Sequence, residues 1–155
     1  MARPVRIQWE APISLADALK RKGKDDWGLY QIYGQHPVFG PNSLLYVGET
    51  KDQSFGGRMG QHKAWLKWEG DIEIRLGKLA KGDYTDANWS ETLQAVEALT
   101  IFWHAPPYNS RNIARHCTKG YHVQNLGQRG RLLPEYSSDW EVPRPDDGAE
   151  KQAKP

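Results

Sequence analysis

Two short runs dominate the hydrophobic pattern of the chain. Gly28-Leu29-Tyr30-Gln31-Ile32-Tyr33 and Ser43-Leu44-Leu45-Tyr46-Val47-Gly48 are rich in aromatic and β-branched residues and read as strands. Between them Gly34-Gln35-His36-Pro37-Val38-Phe39-Gly40-Pro41-Asn42 carries the Gly and Pro that stop both runs, which predicts a hairpin with a long loop. Side chains alternate along a strand, so Tyr30 and Ile32 share one face and Leu29 and Gln31 the other. From Asp71 to Leu79 polar and apolar residues alternate, with Ile72, Ile74 and Leu76 on one side and Glu73 and Arg75 on the other. That is a half-buried strand, expected to join the hairpin as a third member. Shorter strands are predicted at Val5 to Trp9, within an otherwise irregular lead, and at Tyr121 to Gln124.

Three stretches read as helices. Ser14 caps Leu15-Ala16-Asp17-Ala18-Leu19-Lys20, which ends in the basic Lys20-Arg21-Lys22-Gly23-Lys24. Those cations suit the negative end of the helix dipole, which explains much of their placement, and a phosphate contact is the alternative. The polar loop Glu49 to Ser54 leads to a second helix, roughly Gly57 to Trp68. Arg58 and His62 lie four apart there, about 40° from each other around the axis, so they project from one face. A third helix runs from Thr92 to His104 and stops at Pro106-Pro107. Asn88 followed by Glu91 predicts a capping box at its start. Glu97 stands among Leu93, Val96, Ala98, Leu99 and Ile101. A carboxylate on the buried side of a helix costs several kcal/mol unless it is paired or bound to a cation. Glu97 is therefore either a buried ion pair or helix-register feature, or a metal ligand or acid/base group.

Bulk properties narrow the setting. The 155 residues suffice for one domain, and 38% hydrophobic and 11% aromatic content describes a folded chain. The net charge of +2 is small, but residues 106 to 133 hold five cations, Arg111, Arg115, Lys119, Arg129 and Arg131, and no carboxylate. With Tyr108 and Tyr121 interleaved, that stretch suits phosphate contacts. Beyond Pro134 acidic residues prevail, and the last dozen residues are Pro-rich, charged and expected to be disordered. No signal peptide and no membrane span are expected, and the single Cys117 excludes an internal disulfide, so a cytoplasmic setting is expected. His116, Cys117 and His122 are too few for a structural zinc site.

Taken together, these residues resemble the GIY-YIG nucleases. Gly28-Leu29-Tyr30 and Tyr46-Val47-Gly48 look like the two signature tripeptides, with Leu and Val in place of the two Ile. An Arg on the helix after the second strand (Arg58), a Glu on the later helix (Glu97) and an Asn beyond it (Asn109) follow in the family's order. The Arg-x-x-x-His of Arg58 and His62 is similar to the compact GIY-YIG restriction endonucleases. The resemblance covers about residues 27 to 110.

The resemblance implies an α/β (α+β) domain, a small three-stranded antiparallel sheet flanked by helices. It implies a nuclease core over 27–110; outside it the residues themselves read as an N-terminal extension with a basic helix (1–26), a basic segment packed on the core (111–133) and a charged, Pro-rich tail (134–155). It implies a metal-dependent DNA endonuclease that holds a single Mg²⁺ or Mn²⁺ through Glu97 and waters. Tyr30 would take or relay the proton of the attacking water, with His62 assisting or orienting it. Arg58 would supply fixed positive charge, and Tyr46 would bond the nucleophile or phosphate. Asn109 would hold the site together or touch the phosphate. Lys20, Arg21, Lys22, Lys51, Lys63, Arg111, Arg115 and Lys119 are the candidate DNA contacts. A type II restriction enzyme is the leading form, acting as monomer or dimer, because one site cuts one strand. A DNA repair or mobile-element nuclease, and a DNA-binding module of the same fold that has lost cleavage, are the alternatives.

Overall fold

The structure is a computed structural model and describes residues 2–66 and 71–140. The elements in chain order are β1 (Arg3–Trp9), β2 (Ile13–Ser14), α1 (Leu15–Leu19), β3 (Leu29–His36), β4 (Gly40–Glu49), α2 (Phe55–Leu66), β5 (Glu73–Leu79), α3 (Trp89–His104), β6 (Tyr121–Gly127) and β7 (Glu135–Ser137). The expected disorder of the last dozen residues, and the end of the second helix at Trp68, lie outside the described residues. No helix among the described residues is long and apolar enough to cross a membrane.

The expected three-stranded sheet is corrected. The strands form one seven-stranded, mixed and curled sheet, a half-barrel, in the order β4-β3-β5-β1-β6-β7, with β2 also paired to β5. The antiparallel trio β4-β3-β5 is only one side of it. The reason lies in the far edge of β5, whose backbone groups would otherwise stand unpaired. Strand β1 covers that edge, with Ile7 opposite Leu79 and Trp9 opposite Gly77. β6 then pairs parallel to β1 along all seven of its residues, from Arg3↔Tyr121 to Trp9↔Gly127. The alternation Val5, Ile7, Trp9 buries every second side chain of β1, as a strand inside a sheet requires.

Each face of the sheet has its own core. Leu29, Val5, Ile7, Trp9 and Val123 pack beneath Leu93, Val96 and Leu99 of α3. Tyr30, Ile32, Ile74 and Leu76 pack against Ala18 of α1 and Phe55, Met59 and Leu66 of α2. The division of Leu29 from Tyr30 and Ile32 follows the strand alternation. α1 starts at the Ser14 cap, whose Oγ accepts from the Asp17 N–H at 3.1 Å. The capping box expected at α3 does not form. Asn88 Oδ1 instead accepts from the Thr85 N–H at 2.7 Å, within the turn before the helix, and makes no bond to the helix. α3 ends at Ala105 in the left-handed conformation (φ 43°), where Pro106-Pro107 follows.

Candidate active site

β4 is the edge strand, and both helix layers reach it from opposite faces. Its outer edge is covered by the chain that leaves α3. The Tyr108 N–H donates to Leu45 O at 3.0 Å. Asn109 then clamps Val47 with both ends of its amide: Oδ1 accepts from the Val47 N–H at 3.0 Å and Nδ2 donates to Val47 O at 2.9 Å. Asn109 thus holds the site together by imitating a strand. Asn109→Ala leaves both buried Val47 groups unpaired, and is expected to cost about 1–3 kcal/mol. Urea unfolding measures this, and an unchanged midpoint would count against the clamp.

Against this edge lies a cavity of about 660 Å³, with Tyr46, Arg58, Glu97 and Asn109 on its wall. Lys51, Arg111 and Glu49 join them there. Tyr30 and His62 stand directly behind. The Tyr30 ring is fully buried and lies 6.0 Å from Tyr46 in a stacked arrangement. Tyr30 pairs with Gly48 in the ladder, and its phenol crosses that glycine so closely that any Cβ at position 48 would collide with it. The glycine of the second tripeptide therefore seats the tyrosine of the first.

Helix α2 delivers its side chains to the Tyr30 oxygen. Gly56 lets the helix approach α1, since a Cβ there would meet the Leu19 carbonyl. Close after it, Arg58 Nε donates to the Tyr30 oxygen at 3.2 Å, and its Nη1 donates to Gln61 Oε1 at 2.7 Å. His62 Nε2 lies 2.7 Å from the same phenol oxygen. His62 Nδ1 accepts from the Trp65 indole N–H at 3.0 Å. Burial, and secondarily the charge of Arg58, pushes the His62 imidazole down to about 4, so the ring is neutral. Burial raises the Tyr30 phenol, with the neighbouring Tyr46 adding to the rise and the Arg58 hydrogen bond opposing it.

Glu97 makes no ion pair within 4.0 Å among the described residues. Burial, and then the nearby charge of Glu49, pushes its carboxyl up to about 7, while Arg58, Lys51 and Arg111 pull the other way. Glu49 is itself raised, mainly by burial. Two carboxylates and three fixed positive charges thus share one cavity. Among the described residues no group of three or more His, Cys, Asp or Glu side chains gathers as a cage. The donor set fits a hard divalent cation taken up by one or two carboxylates, with water or phosphate oxygens completing its shell.

The candidate DNA contacts divide. Lys51 and Arg111 line the cavity. Lys20, Lys22, Lys63 and Arg115 are exposed elsewhere, and Lys119 lines a smaller cleft that adjoins the cavity through Gln94, Ala98 and Asn112. Arg21 is spent inside the chain, donating to Asp26 Oδ1 at 2.8 Å and Glu10 Oε2 at 3.0 Å. Tyr33 bonds Gln31 and accepts from the Arg131 N–H, a packing role away from the site. Sequence reasoning missed Glu49, Gln61 and Trp65. Glu49 directly follows the second tripeptide, and Trp65 stands three residues after His62 on the same helix, spacing that was available as a signal. Comparison of the chain with protein-family models, with characterised proteins and with solved structures finds no match.

Proposed function

We propose that the chain is a metal-dependent DNA endonuclease, of restriction type, that hydrolyses phosphodiester bonds. One observation carries the reading. Tyr30, Tyr46, Arg58, His62, Glu97 and Asn109 come from five separate segments, yet they converge on one cavity at the edge of β4 and the hydrogen bonds directly behind it. A packing role explains the tyrosines singly. It does not explain a half-buried Glu97 beside Glu49, with Arg58, Lys51 and Arg111 around it and no ion pair among the described residues.

In this reading Glu97, with Glu49 beside it, offers carboxylate oxygens to Mg²⁺ or Mn²⁺. When bound, the cation neutralises charge that develops on the phosphate and the leaving oxygen. Arg58 presents its guanidinium to the phosphate, a fixed charge that needs no reorganisation during the reaction. Lys51 and Arg111 take the neighbouring backbone phosphates, a sequence-independent anchor. Tyr46, half-buried on the wall, orients the attacking water. Tyr30 lies directly behind Arg58, whose Nε donates to its oxygen, and in this reading takes or relays the proton of the attacking water. One such site cuts one strand, so cutting both strands of a duplex takes a dimer or two binding events.

The burial of Tyr30 favours one competing reading, a DNA-binding module that does not cut. Incubation with a mixed-sequence DNA library and Mg²⁺ or Mn²⁺, followed by mapping of cut ends, separates the two. Defined ends with either metal are the expected result. DNA bound at low salt but left intact with both metals would support the module and overturn the nuclease.

A further inference from the structure

We infer that Trp65 holds His62 in the tautomer protonated at Nε2, so that His62 donates to the Tyr30 oxygen and is not the general base. The assignment of roles rests on the nuclease reading; the tautomer does not. An indole N–H donates and never accepts. It points at His62 Nδ1 from 3.0 Å, so Nδ1 bears a lone pair and no proton. A neutral imidazole carries one N–H, which must then be on Nε2. Nε2 sits 2.7 Å from the phenol oxygen, and the bond between them runs from His62 to Tyr30. The reverse bond, phenol to Nε2, would leave the ring with no proton at all.

Two consequences follow for proton transfer. His62 cannot take a proton at Nε2, which already holds one. It cannot take one at Nδ1 without setting two donors against each other at the Trp65 contact. The Tyr30 oxygen meanwhile accepts from two N–H groups, Arg58 Nε and His62 Nε2. Both favour a phenolate over a phenol, against the burial that opposes it. Of the pair, Tyr30 is the proton acceptor. Only its phenolate fraction, kept small by burial and favoured by the two N–H donors, its own proton having left to solvent, takes the proton of the attacking water as the water oxygen bonds to phosphorus. His62 and Trp65 are positioning residues, and Trp65 acts through His62 without touching substrate.

The tautomer is read in the full chain, without DNA or metal, from two-bond ¹H–¹⁵N correlations of the imidazole rings. His62→Gln identifies the signal among the five histidines. The wild type is expected in the Nε2–H form, and Trp65→Phe, which keeps a ring and removes the donor, is expected to shift the signal towards the Nδ1–H form. A wild-type Nδ1–H signal overturns the inference even where Trp65→Phe does not fold, and so does a Trp65→Phe spectrum identical to wild type. Cleavage supplies the second readout, since the amide that His62→Gln introduces can donate as Nε2–H does but cannot serve as a base. H62Q is expected to stay within about tenfold of wild type while H62A falls further; equal losses of roughly 10²–10⁴-fold would return the base role to His62. Intact DNA with the wild-type protein would sink the nuclease reading and leave the tautomer standing.

Discussion

Glu97→Gln is expected to stop cleavage and, in metal-free buffer, to make the protein more stable. The two effects share one cause. In the proposed reading the charge of Glu97 serves a cation, while the fold resists it. Its carboxyl is pushed from 4.5 to about 7 by burial and by Glu49. Between those values the folded chain holds a proton that the unfolded chain has released. Stability therefore falls as pH rises from about 4.5 to about 7, and the full cost is present above that window. Gln removes the cost, which is of order 1–3 kcal/mol at pH 8. For a chain of this size, each 1 kcal/mol moves the melting temperature by about 2–4 °C. Thermal melts at pH 5 and pH 8 should show the wild type losing more than E97Q. Mg²⁺ should raise the wild-type melt at pH 8 and leave that of E97Q unchanged. Cleavage should drop by roughly 10²–10³-fold or more, the scale for removing a charge-stabilising group. A wild type no less stable than E97Q at pH 8 would contradict the burial argument. Cleavage retained by E97Q would contradict the metal assignment.

Gly48→Ala carries the second large effect. The added methyl has nowhere to go, because the Tyr30 phenol already crosses the glycine from the opposite strand. Overpacking of this kind costs about 1–3 kcal/mol. Here it also tilts the phenol away from Arg58 and His62, so cleavage should fall with stability. The clash is removable from the other side. Tyr30→Leu in the Gly48→Ala background should recover part of the lost stability, although Tyr30→Leu alone is destabilising. A coupling of about 1 kcal/mol or more in a double-mutant cycle is expected, and simple additivity would mean that the two positions do not meet.

Much of the site was legible because it rests on local rules. Aromatic and β-branched runs bounded by Gly and Pro marked β3 and β4, period-two alternation marked β5, and a four-residue spacing placed Arg58 and His62 on one face. The isolation of Glu97 among apolar neighbours marked it before any geometry was known. What escaped depends on distant pairing. The alternation of Val5, Ile7 and Trp9 was visible, but nothing local says that such a strand runs between β5 and β6 instead of at a margin. Glu49 read as a loop residue because the strand outlasts its last hydrophobic position. The depth of Tyr30 was hidden too. Motif order names the residues around a cavity, while the layer each occupies is decided by which helix crosses above it. Asn88 misled for a related reason: the side chain that could cap α3 is claimed by Thr85 in the preceding turn.

The parallel pairing of β1 with β6 bears on how the protein comes into being. Hairpin β3–β4 can close as soon as it is made, since its partners are near in sequence. β5 can join it, but β5's outer neighbour β1 finds its own second partner only when residues 121–127 have been synthesised. Long-range contacts of this kind slow folding, because the loop must be closed before any pairing rewards it. The cavity-bearing hairpin thus forms early, and the sheet behind it locks late. Until the sixth strand arrives, the nascent domain has a formed mouth and an open back, and the outer edge of its first strand remains a surface for chaperones to cover.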